Sequence, residues 1–109
     1  MFKRLIGNKV TERDLRKWLN NHGYFGSSAE IHELELHAIQ RPGWLQIFRF
    51  AIRVKHEQDG WQQMFGVLRD DERYRRLDIE MFDSLEQRQA VLDEWSQGLI
   101  VKRTRSKKR

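Results

Sequence analysis

WLQIFRFAIRVKHEQDGWQQMFGVL, residues 44–68, is the stretch whose reading decides the fold. Side chains on a strand alternate between its two faces, so alternating apolar residues predict a strand with one buried side. From Trp44 to His56 the even positions are Trp44, Gln46, Phe48, Phe50, Ile52, Val54 and His56, while the odd ones include Arg49, Arg53 and Lys55. The even side is expected to face the core. An Asp-Gly pair flanked by such runs is the strongest local hairpin signal, because a two-residue type I′ turn needs positive φ at both central positions. A turn centred on Asp59-Gly60 sets Gln58 opposite Trp61, Val54 opposite Phe65 and Ile52 opposite Val67. The other face then mixes Arg53, Lys55 and Gln62 with Ile47, Ala51, Met64 and Leu68, a composition that suits partial cover.

Upstream of the hairpin, residues 30–40 also alternate, with His32, Leu34, Leu36 and Ala38 on one side and Glu33, Glu35 and His37 on the other. Turned back by Arg41-Pro42-Gly43, this strand pairs like face with like when Leu36 meets Phe48, which places Glu35 against Arg49 and Glu33 near Arg53. Before it, Thr11 has the chemistry of a helix cap, with Asp14 able to reach back to the cap and Val10 and Leu15 at staple spacing. The expected helix covers residues 12–22, with Leu15, Trp18, Leu19 and His22 on one stripe and with Gly23 in the left-handed terminating position. Tyr24 and Phe25 are expected to plug the space between helix and sheet.

Downstream, the charged run at residues 69–76 reads as a loop, and Leu77, Ile79 and Met81 alternate with Asp78 and Glu80 as a fourth strand. Ser84 and Gln87 form a capping box opening a helix whose stripe is Leu85, Val91, Leu92 and Trp95, ending near Gly98, with residues 99–101 folding back onto the body. The predicted fold is a two-layer α+β domain of order αββββα: a four-stranded antiparallel meander with an N-terminal and a C-terminal helix on its aromatic face.

Composition bounds the function. A chain of 109 residues makes a single domain large enough for a core without staples. It contains no cysteine, which excludes disulfides, thiolate zinc sites and cysteine nucleophiles. The start MFKRLIG has a two-residue apolar run, too short for a secretory h-region, and no stretch approaches the roughly 20 apolar residues of a bilayer span. A cytoplasmic protein is the expectation.

The formal net charge is +5, and six positive charges, Lys102, Arg103, Arg105, Lys107, Lys108 and Arg109, lie in the last eight residues, so residues 1–101 sum to −1. The expected organisation is a nearly neutral domain over 1–101 and a disordered basic tail over 102–109, since a segment without apolar side chains cannot offset its ordering entropy.

No constellation points to catalysis or to a cofactor. His32 and His37 fall on opposite faces of one strand, HExxH and HxH spacings are absent, and no nucleophile elbow surrounds Ser27 and Ser28. The acidic run Asp70-Asp71-Glu72 lacks the glycine and spacing of a calcium loop and is followed by Arg73, Arg75 and Arg76. A GxxG match at residues 23–26 differs from an RNA-clamping loop in carrying aromatics and leading into a strand. An enzyme would require His32 or His56 in a cleft with a carboxylate.

Two binding readings follow. The first is a non-catalytic module contacting an unknown protein partner or a second copy of itself, with Trp44 and Trp61 as exposed strand-end aromatics and the tail attracting polyanions, nucleic acid included, through counterion release. The second is a sheet-based RNA binder using Arg49, Arg53 and Lys55. On the expected register that basic face has no aromatics for bases to stack on.

Overall fold

The computed structural model describes residues 2–40 and 44–102, with side chains from residue 11 onward; the six cationic positions foreseen for the tail, apart from Lys102, lie outside the described residues. The elements in chain order are α1 (Phe2–Asn20), a one-turn 3-10 helix (Gly26–Ser28), β1 (Glu30–Ile39), β2 (Leu45–His56), β3 (Gly60–Asp71), β4 (Arg76–Phe82), α2 (Leu85–Trp95) and β5 (Ile100–Val101). The strands form one antiparallel sheet in the order β4-β3-β2-β1-β5. The α+β class and the meander of β1 to β4 are as expected from the sequence; a fifth strand is added where residues 99–101 return to the body.

The long hairpin forms, but in a different register. His56 pairs with Gly60 across a three-residue loop, so Val54 faces Gln62, Ile52 faces Met64 and Phe50 faces Gly66. The expected Val54–Phe65 and Ile52–Val67 pairs do not exist. A type I′ turn would need Asp59 at positive φ, yet the non-glycine residue with positive φ among those described is Arg75, while Gly60 has φ +80°. The loop is closed by side-chain chemistry: His56 Nδ1 accepts from the backbone N–H of Gln58 at 3.2 Å and of Asp59 at 3.3 Å. A longer loop with a single left-handed glycine is the next commonest hairpin solution. Its consequence is large, because the changed register exchanges the two faces of β3.

The first face of the sheet carries Phe48, Phe50, Ile52 and Val54 of β2, Met64 and Leu68 of β3, and Ile79 and Met81 of β4. Leu15 and Leu19 of α1, both fully buried, close it, and Trp18 and Tyr24 pack alongside. Gly66 is there for fit: a Cβ on it would stand 2.1 Å from Phe50 Cζ, so the ring lies flat on bare backbone. The second face gathers Ala38, Ile47, Val67 and Leu92 with Phe82, Val91, Trp95 and Leu99. Since even and odd residues of β2 point to opposite sides, α1 and α2 cover opposite faces. The expectation of both helices on one face is corrected by this second core, and the sheet is the middle of three layers.

β1 departs from simple alternation twice. Its pairing with β2 includes Leu36–Phe48 and Glu35–Arg49 as expected, but the register shifts at His32 and again at His37. Each bulge inserts one residue and flips the faces beyond it. Ile31 therefore joins the first core and Ala38 the second, rather than the face assigned to it with Leu36.

At the helices, Ser84 Oγ accepts from Gln87 N at 3.1 Å, and Gly23 and Gly98 take positive φ as termination demands. The start expected at Thr11 is instead internal to α1, and Thr11 is buried. The stretch foreseen as a charged loop over 69–76 is shortened: Arg69 to Asp71 continue β3 and Arg76 opens β4, leaving residues 72–75 as the turn. No helix among the described residues is long and apolar enough to cross a membrane.

Candidate functional site

The side of the sheet under α2 is only half covered. From the helix Arg88 crosses to the sheet, its Nη1 donating to Glu33 Oε1 at 2.8 Å and to the Phe50 carbonyl at 3.0 Å, with the guanidinium 6.0 Å from the Phe65 ring centre. Beyond that row, toward the hairpin tip, the paired residues Arg53–Gln63 and Lys55–Trp61 are left open.

This open end is aromatic and basic. Trp61 is 43% exposed, and Arg53 lays its guanidinium 4.5 Å from the indole centre. Phe25 is 46% exposed and is not the interior plug expected of it, whereas Tyr24 does pack inward, edge-on to His56. The backbone explains the difference. Tyr24 bridges His56 and Phe25 N donates to the Lys55 carbonyl at 2.9 Å, so Phe25 stands on the same side as Lys55 and Trp61. Lys55 Nζ lies 5.9 Å from the Phe25 ring centre. A cavity of about 430 Å³ runs between the two rings, lined by Lys55, Asn20, Ser27 and Ser28 as well.

The positions of these groups are fixed from below. Arg16 of α1 donates to the carbonyls of Gly26 at 2.8 Å and Ala29 at 2.9 Å, and Gly26 N donates to Asn20 Oδ1 at 2.8 Å. Gly26 sits so close to α1 that a Cβ would fall 2.1 Å from the Arg16 carbonyl oxygen. The 3-10 turn is thereby clamped to the helix end, and Phe25 is held at the sheet edge.

Arg49 belongs to a different structure. Its side chain is 14% exposed and donates to Glu33 at 2.8 Å, to Glu35 at 2.6 Å and to His37 Nδ1 at 3.2 Å. Burial alone would raise the Glu33 carboxyl, but hydrogen bonds from Arg88 and Arg49 outweigh it and hold the group below its ordinary value. Burial, reinforced by the Arg49 charge, lowers His37, so the imidazole is kept neutral and accepts at Nδ1. This network ties β1, β2 and α2 together, and its cation is engaged internally. Arg53, by contrast, is exposed, and beside its stacking on Trp61 it meets Glu30 at a long 3.5 Å.

The other expected residues are dispersed. Trp44 is 41% exposed at the far end of β2, with Arg73 4.5 Å from its ring centre. Lys102 is exposed, and its N–H donates to the His37 carbonyl at 2.8 Å. Asp71 caps the β3–β4 turn by accepting from Arg73 N and Tyr74 N, and burial together with Glu72, Asp14 and Asp71 raises Asp70. Among the described residues no group of histidines and carboxylates is placed to hold a metal ion. Phe25 was the residue the sequence did not assign to a surface; the signal was its parity relative to Tyr24, readable only once the bridge to His56 is known. Comparison with protein-family models, with characterised proteins and with solved structures finds no match to the chain.

Proposed function

We propose that this protein is a non-catalytic binding module for single-stranded nucleic acid, with RNA as the working case, taking unpaired bases on the open end of its second sheet face. The observation that carries this reading is the register of the hairpin, which puts Trp61 opposite Lys55 and next to Arg53, with Phe25 across the cavity. A sheet that binds single strands needs exposed rings for the bases and cations for the phosphates within one nucleotide's reach. On the register expected from the Asp-Gly pair the basic face had none of these rings; the observed one supplies them. The cations are Arg53, Lys55 and the lysines and arginines that follow Val101, Arg49 being engaged by carboxylates.

A stacked base is worth about 1–3 kcal/mol, so Trp61→Ala should weaken binding of a fluorescein-labelled twelve-residue oligouridine by roughly 5- to 150-fold in anisotropy titrations. Removing residues 102–109 takes away six charges and should reduce the log-log salt slope by up to about 4 while leaving the Trp61 effect intact. Full loss of binding on tail removal, with no effect of Trp61→Ala, would instead support a protein-contact module whose tail alone attracts polyanions.

A further inference from the structure

β3 is longer than its outer neighbour. β4 pairs with residues from Phe65 to Asp71 and then leaves the sheet after Phe82, so β3 has no strand partner on its outer side from Gly60 to Met64. Strand edges present rows of backbone donors and acceptors, and proteins ordinarily guard them with charge, bulges or brevity. The other free edges of this sheet are guarded. β1 carries Glu30, Glu33 and Glu35 and two bulges, β4 carries Arg76, Asp78 and Glu80, and β5 has two residues. The free part of β3, Gly60-Trp61-Gln62-Gln63-Met64, has no charged side chain and no bulge.

A cavity of about 560 Å³ lies along this same edge. Met64 and Met81 wall it on the α1 side of the sheet, while Gln63, Phe82 and Gln87 wall it on the α2 side. Asp83 is the one acidic side chain among those lining it, and it is exposed. A groove of this size is in the range that takes a ligand. Its floor is backbone that only another extended backbone matches, with a repeat of about 6.8 Å per two residues.

We infer that the free edge of β3 is a strand-addition site for an extended peptide of another protein. The peptide places an aliphatic side chain between Met64 and Met81 and a lysine or arginine against Asp83. Main-chain hydrogen bonds supply the affinity of such pairing, and the alternate side-chain positions supply the selectivity. The groove shares no lining residue with the Trp61–Phe25 cavity and does not depend on it, although the backbone of Trp61 belongs to the free edge.

The test uses the full-length ¹⁵N-labelled protein and a seven-residue peptide of alternating valine and threonine with one lysine. Saturable amide shifts confined to residues 60–64 and 81–83 are expected. A peptide of the same sequence, N-methylated at alternate residues on its pairing edge, should bind at least tenfold more weakly. Asp83→Asn should weaken the lysine peptide two- to fivefold and leave a version with threonine in place of lysine unaffected. No shifts at millimolar peptide, equal binding of the N-methylated probe, or shifts centred elsewhere would overturn the assignment. Movement of the residue 60–64 amides with protein concentration alone would overturn it in favour of pairing between two copies of this chain.

Discussion

Gly66→Ala is the substitution with the most informative cost. In the observed register the added methyl would stand 2.1 Å from Phe50 Cζ and 2.6 Å from both Cε atoms, against the roughly 3.5–4.0 Å of an ordinary carbon contact. Phe50 is fully buried under α1, so the ring must shift by more than an ångström within a packed layer. Overpacking costs about 1–3 kcal/mol, and a contact this short belongs at the upper end, near 3 kcal/mol. For a domain of this size that lowers Tm by roughly 15 °C. Phe50→Leu alone should cost about 1–2 kcal/mol for lost apolar volume. In its background the alanine has room, so the double variant should be more stable than the sum of the single changes by about 2 kcal/mol. The assay is urea denaturation followed by circular dichroism on all four members of the cycle. Had the hairpin closed on a two-residue turn, Gly66 would lie opposite Arg53, and alanine for glycine in a strand would stabilise by about 0.5–1 kcal/mol. A stabilising Gly66→Ala, or strict additivity with Phe50→Leu, would refute the packing described.

Three further outcomes follow from the polar network and its neighbours. His37 and Glu33 both have folded-state affinities for protons below their ordinary values of 6.5 and 4.5, so the unfolded chain takes up protons first and stability falls as pH drops through about 6.5 and again below about 4.5; in pH-dependent urea melts Glu33→Gln should flatten the lower step, and an unchanged acid limb would count against the ion pairs. Arg88→Ala removes the donor to Glu33 and to the Phe50 carbonyl and should cost about 3 kcal/mol, whereas Arg88→Met, which retains the packed stem, should cost clearly less; equal losses in thermal melts would mean the charge is the whole contribution. Asp70 is raised by burial and by Glu72, Asp14 and Asp71, so it disfavours the fold as pH rises through its folded-state value, and Asp70→Asn should increase stability at pH 7 by a few tenths of a kcal/mol or more.

What the sequence disclosed, and what it withheld, have physical causes. The middle of the β1–β2 register, Glu33 to Leu36, was legible because one shift alone brings Leu36 to Phe48 and Glu35 to Arg49; the bulges at its two ends were not. The cap at Ser84 was legible because its chemistry is local. The parity of β3 was not. Its even positions include Met64 and Leu68 and its odd ones Trp61, Phe65 and Val67, and both faces of the sheet are covered, so alternation favours neither setting. The deciding group was the His56 ring, which closes a longer loop than the Asp-Gly pair implies. β5, with two residues, is shorter than any periodicity can register. The candidate site inherited this ambiguity: Trp61 and Lys55 were each visible, but their common face depended on three residues of turn rather than two.

The most direct test of that shared face is a nuclear Overhauser experiment on the uniformly ¹³C,¹⁵N-labelled protein. Cross-strand backbone contacts should link Lys55 to Trp61 and Arg53 to Gln63, with side-chain contacts between the Arg53 methylenes and the Trp61 indole. Backbone contacts linking Val54 to Phe65 and Ile52 to Val67 would contradict the account.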